Sequence, residues 1–143
     1  MTIEELTIRL KQEAESFNQN EPFASPMLQE QILLKDSFKE MLTVTLACGL
    51  AGEIINREKL ETLINSCFEK FPEILEYAKK DLVATVLRDP ACLGYLEPLL
   101  FFKGFQGLQA YRIAHALWKN NERFTAKMFQ SIISRKFGMD IHP

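Results

Sequence analysis

From Leu99 to Trp118 the apolar residues fall on two faces of a helical pattern, and this limits the fold more than any other feature of the chain. Phe101, Phe105 and Leu108 form one stripe, and Ala110, Ile113, Ala114 and Leu117 form another. A helix that is apolar on two sides belongs between layers of other elements, because either face left in water forfeits its burial energy. Gln106, Gln109 and Arg112 are left to make a narrow polar strip. A linker carrying Pro90, Gly94 and Pro98 precedes this segment. Before it, a helical pattern stops at Arg88-Asp89-Pro90, since proline disfavours helical backbone in the residue ahead of it. The remaining segments read as helices that pack around this pair.

Thr2-Ile3-Glu4-Glu5 is a capping box, and the helix after it carries Ile3, Leu6, Leu10, Ala14 and Phe17 on one stripe. Asn18 to Pro22 is a polar break. Ser25-Pro26 reads as an N-cap with proline at the first helical position, opening a short helix to about Leu34 that Lys35-Asp36 breaks. Ser37-Phe38-Lys39-Glu40 is a second capping box, and Gly49 and Gly52 are the expected stop of its helix. Asn56 caps the next helix, with Leu60, Leu63, Ile64, Cys67 and Phe68 inward. Phe71-Pro72 separates it from another that buries Leu75, Ala78, Leu82 and Val86. Asn120-Asn121 breaks the two-sided helix. The last helix turns Phe129, Ile132, Ile133 and Phe137 inward and stops at Gly138. Met139 to Pro143 alternates apolar and polar residues and reads as strand-like. The fold class is all-α, with about seven or eight helices, one core and a short strand-like C-terminal tail.

Several function classes are disfavoured. The 143 residues carry a net charge of −2, which argues against a nucleic-acid surface. No apolar run approaches the roughly 20 residues that span a bilayer, so no membrane partner is expected. The charged, amphipathic start lacks the apolar centre of a signal peptide, which makes the cytoplasm the default compartment. Cys48, Cys67 and Cys92 are odd in number and far apart, and fit reduced thiols better than disulfides or a metal site. No Gly-rich phosphate loop or metal-ligand spacing is present, so neither a metal nor a cofactor site is expected in the chain.

Few residues remain as chemistry. Asp89 is either a turn residue of an Asp-Pro helix end, or a carboxylate held at that end to receive a cationic amine or a hydroxyl. Asp81, two turns earlier, reads as a solvated partner of Lys79, Lys80 or Arg112. His115, among apolar neighbours, reads as a hydrogen-bonded core or interface histidine. Asp140 and His142 share a face of the strand-like tail. Lys103 reads as a snorkelling surface residue.

The words Arg88-Asp89-Pro90-Ala91, then Pro98-Leu99-Leu100-Phe101-Phe102-Lys103-Gly104-Phe105, then Leu108 to Trp118 with its Leu-Gln-Ala-Tyr-Arg start, and finally Met139-Asp140-Ile141-His142-Pro143 stand in a specific order. Together they resemble the N-terminal helical domain of serine O-acetyltransferases. That family transfers the acetyl group of acetyl-CoA to the hydroxyl of L-serine for cysteine synthesis. The resemblance implies a helical domain over residues 1–138, with 139–143 as the truncated start of a left-handed β-helix domain. It implies that Asp89 helps bind serine and that Asp140 orients the catalytic histidine, which is not His142. It implies acetyl-CoA as co-substrate of the full enzyme, with no cofactor held by this chain. It implies self-association, through the contacts that join two trimers, and O-acetylserine sulfhydrylase as a partner of the parent enzyme only. The catalytic histidine, the repeats and the acetyl-CoA groove would lie beyond Pro143, so the chain alone is expected to be inactive. The alternative reading is a non-catalytic helical interaction module.

Overall fold

The computed structural model describes residues 1–53 and 55–143, and among these it contains eight α-helices and no strand. Helix α1 (Ile3–Asn20) opens on the expected capping box. Thr2 Oγ1 accepts from Glu5 N at 3.0 Å, and the Glu5 carboxylate accepts from Thr2 N at 2.8 Å. Its buried stripe is Leu6, Leu10 and Ala14; Phe17, expected to continue it, is 40 % exposed.

The next stretch is tighter and less regular than the sequence suggests. A 3₁₀ turn at Pro22–Ala24 leads into α2 (Ser25–Leu28) and then a π turn at Gln29–Leu33. Ser25 is already helical. Its hydroxyl donates to Asn18 Oδ1 at 2.6 Å instead of capping α2. Leu28 and Ile32 are buried.

Helix α3 (Phe38–Leu50) is buried along nearly its whole length. Ser37 caps it through Glu40 N, but the Glu40 carboxylate accepts from Asp36 N at 2.7 Å, so only half of the second capping box forms. Gly49 does not stop α3. It lies inside the helix where the Phe137 ring comes close, and a Cβ there would stand 2.9 Å from Phe137 Cζ. The glycine is needed for packing and not for a turn.

Helix α4 (Arg57–Lys70) is capped by Asn56, whose Oδ1 accepts from Lys59 N at 2.8 Å. Helix α5 (Glu73–Arg88) buries Ile74, Leu75, Ala78 and Leu82, while Val86 is only half-buried.

The two-sided segment is two helices. Helix α6 (Leu96–Phe101) ends at Phe102, whose extended backbone (ψ 108°) separates it from α7 (Lys103–Lys119). Phe101 therefore leaves the predicted stripe and is 60 % exposed. Lys103 is exposed, as expected. The polar strip is also internal: Gln106 and Gln109 are buried. Gln106 Nε2 donates to the Leu99 and Leu100 carbonyls at 2.9 Å each. Those carbonyls belong to the last turn of α6, where no further helical N–H exists to meet them.

Helix α7 packs against α3, α4, α5, α6 and α8, which makes it the centre of the fold. Helix α8 (Arg123–Phe137) follows after a short connection, packs most extensively on α7, and buries Ala126, Phe129, Ile133 and Phe137. Gly138 closes it in the left-handed region (φ 72°). The tail, Met139–Pro143, forms no strand, in contrast to the expectation. A strand requires a hydrogen-bonded neighbour, and here the tail bonds to helices instead. No helix among the described residues is long and apolar enough to cross a membrane.

Phe129 is almost fully buried within this core. Phe129→Ala is expected to lower unfolding stability by about 3–5 kcal/mol through lost burial and the cavity left behind. Urea denaturation followed by far-UV circular dichroism measures this.

Candidate functional site

Asp89 stands where α5 stops. Pro90 forbids helical backbone one residue earlier, so Asp89 turns extended (φ −101°, ψ 106°) while its N–H still donates to Thr85 O at 3.0 Å. Its Oδ1 accepts from Ala91 N at 3.0 Å, and its carbonyl accepts from Cys92 N at 3.0 Å. The turn reading is therefore met by an Asx turn. That turn does not consume the carboxylate, since among the described residues no protein group bonds Oδ2. Asp89 faces an open groove of about 500 Å³ between α5 and the start of α7. Thr85, Arg88, Pro90, Gly104 and Phe105 line it alongside Asp81. Groups of opposite charge line the groove: Asp89 offers an acceptor to an ammonium, and Arg88 brings a cation that can attract a carboxylate.

Asp81 holds the floor of this groove. Of its three expected cationic partners it takes Arg112, whose Nη2 donates to Oδ2 at 2.8 Å. Gln109 Nε2 donates to the same oxygen at 2.9 Å. The pair is only about a quarter exposed, so Asp81 is far less solvated than the sequence suggests. Arg112 also lies over the Tyr77 ring, 5.1 Å from its centroid. These contacts fasten α5 to α7 below Asp89.

The tail residues meet a different surface. Asp140 Oδ1 accepts from Gln130 Nε2 of α8 at 2.9 Å. The His142 ring stands edge-on to Trp118, 4.7 Å between centroids. His115 Nδ1 lies 2.6 Å from Pro143 O, and because that oxygen only accepts, the ring carries its proton on Nδ1. His115 is thus a hydrogen-bonded histidine, as its neighbours implied. Asp140 is not among the residues lining the Asp89 groove, so the described residues do not bring the two candidate carboxylates into one pocket. Gln130 went unnoticed in the sequence because a glutamine on a helix surface carries no signal until its partner is placed.

The cysteines are thiols without partners in covalent bonds. Cys67 lines an open cleft of about 570 Å³ between α4 and α7. Burial pushes its thiol above the ordinary 9.0 to about 11; Glu122 adds to this and Lys70 opposes it. A thiol held neutral is a poor nucleophile. Because the folded state keeps a proton that the unfolded state releases above pH 9, Cys67 contributes stability that is present below pH 9 and lost as pH rises towards 11. The expected result is that Cys67→Ala unfolds with a flatter pH dependence than the parent between pH 9 and 11. At pH 8, a disulfide reagent followed by mass spectrometry should label Cys67 at least about tenfold more slowly in the folded than in the unfolded chain.

Residues 7–110 match a family described as serine acetyltransferase, N-terminal. The chain is 38% identical over 140 residues to the chloroplastic serine acetyltransferase 1 of Arabidopsis thaliana, covering 98% of this chain and 45% of that protein. A serine acetyltransferase solved in complex with CoA superposes with a TM-score of 0.97 at 34% identity, over 99% of this chain and 60% of that one. Soybean serine acetyltransferase complexed with serine gives 0.95 at 33% identity, over 99% and 58%. The chain spans about half the length of the curated relatives it matches.

Proposed function

This chain belongs to the serine acetyltransferase family, and from that premise we propose that it is the helical part of an enzyme that moves the acetyl group of acetyl-CoA onto the hydroxyl of L-serine. The observation that carries the reading is the match of residues 7–110 to the family's N-terminal domain. In this reading residues 1–138 form the helical domain and residues 139–143 lead into the catalytic one. Asp89 pairs with the ammonium of serine. Asp140 accepts from a catalytic imidazole, fixing the tautomer whose free nitrogen removes the serine hydroxyl proton. The hydroxyl oxygen then attacks the thioester carbon, the C–S bond breaks, and CoA leaves as the thiol. Acetyl-CoA is co-substrate of the whole enzyme.

The same domain serves self-association in this proposal. The two apolar faces of α7 are internal, so exposed apolar side chains on other elements supply the surface for it. Phe23 and Phe124 hold their rings almost wholly in solvent. A mass that stays monomeric at millimolar concentration in sedimentation equilibrium would remove this role. The three unpaired thiols support a reducing compartment, the cytoplasm by default.

Thiol release from acetyl-CoA in the presence of L-serine tests the reading. The chain alone is expected to give no serine-dependent rate. Joined at Pro143 to the hexapeptide-repeat domain of a family relative, it is expected to give one. In that joined form Asp89→Asn should raise the serine KM about 10–100-fold, the loss of one charged hydrogen bond. Asp140→Asn should lower kcat by about 10²-fold or more, the scale of a disabled general base. A serine-dependent rate from the chain alone, or joined variants that match the parent, would overturn the assignment.

A further inference from the structure

The linker that carries Asp89 is fastened at its far end by a residue more than eighty positions away. Helix α6 has no side-chain cap of its own: Tyr95 occupies the cap position and contributes none. Glu13 of α1 supplies it. Tyr95 N donates to Glu13 Oε1 at 3.2 Å and Leu96 N donates to Oε2 at 2.8 Å, so one carboxylate takes up two N–H groups that the helix cannot satisfy. Arg9 Nε stands 3.5 Å from the same carboxylate, and its guanidinium lies over the Tyr95 ring. The seat leaves no space for a side chain at Gly94, where a Cβ would come 2.6 Å from Glu13 Oε1.

From this anchor, hydrogen bonds run back to the groove. Cys92 Sγ donates to Gly94 O at 3.0 Å. Cys92 N donates to Asp89 O at 3.0 Å, and Ala91 N to Asp89 Oδ1 at 3.0 Å. The other end of the linker is the end of α5, a helix that Asp81, two turns before Asp89, ties to α7. A segment pinned at both ends, with each bond handing on to the next, has little freedom to turn its one outward carboxylate oxygen.

We infer that Glu13 is a positioning residue, which holds the Asp89 carboxylate in its groove by clamping the linker between α5 and α6. The inference rests on the reading of Asp89 as the carboxylate that receives serine, and it extends that function to a helix that does not line the groove.

Glu13→Gln in the 143-residue chain tests it by NMR. The amide keeps the shape but offers one acceptor oxygen in place of two. Exchange of the Tyr95 and Leu96 amides is expected to quicken at least tenfold, and that of Ala91 at least threefold. The Asp89 Cγ resonance should move, while Phe129 keeps its protection. Gly94→Ala, which displaces the carboxylate from the other side, should reproduce the pattern. Loosening confined to Tyr95 and Leu96, with Ala91 and Asp89 Cγ unchanged, would make Glu13 a helix cap only and overturn the inference. So would loss of protection at Phe129 in both variants, which would mark general destabilisation. In the enzyme joined to a hexapeptide-repeat domain, Glu13→Gln should raise the serine KM about fivefold and leave kcat and the acetyl-CoA KM within twofold. A serine KM insensitive to Asp89→Asn would remove the reading of Asp89 and leave the clamp standing.

Discussion

The burial of α7 on several sides is the constraint on which the other elements depend. Five helices pack on it, and each buried polar group on it must be met inside the protein. Gln106 and Gln109 satisfy that demand in a way that also sets the architecture. Gln106 closes the carbonyl end of α6, so the chain can break at Phe102 with the Leu99 and Leu100 carbonyls still met. Gln109 and Arg112 converge on Asp81, so α5 is fixed against α7 by charged hydrogen bonds as well as by Leu82 and its neighbours. Gln109 Oε1 and Arg112 Nε are buried without a protein partner, the one place where this network is incomplete among the described residues.

That frame explains how an all-helical chain can present a carboxylate to a groove without containing a deep pocket. Asp89 is exposed to its groove because a proline stops α5 there, and the linker behind it is bonded at Ala91, Cys92, Tyr95 and Leu96. The tail is treated differently. Its Asp140, His142 and Pro143 are distributed over Gln130, Trp118 and His115, so α7 and α8 set where the tail lies. In the proposed enzyme the two carboxylates would meet one substrate only when a further domain lies across both surfaces.

Local signals carried much of this in the sequence. The caps at Thr2, Ser37 and Asn56, the stop at Arg88-Asp89-Pro90 and the left-handed Gly138 each depend on residues within four positions of one another, and each forms as its local chemistry requires. Where expectation and structure part, a distant neighbour is the cause. Gly49 looked like a helix stop, and Phe137 makes it a packing site. Gln106 and Gln109 read only as part of a narrow polar strip, and carbonyls of α6 and the Asp81 carboxylate draw them inward. Ser25 looked like a cap, and Asn18 takes its hydroxyl.

The sequence by itself determined the all-α class, several of the helix ends and the words that mark the family, because these follow from spacing and from backbone preferences that act over a few residues. Only the tertiary structure decided which polar side chains are buried, that the central segment is two helices, and that α1 reaches the Asp89 linker. Such contacts depend on where elements far apart in the chain come to lie, and a carboxylate at position 13 shows no preference for an amide at position 96 until packing has set them side by side.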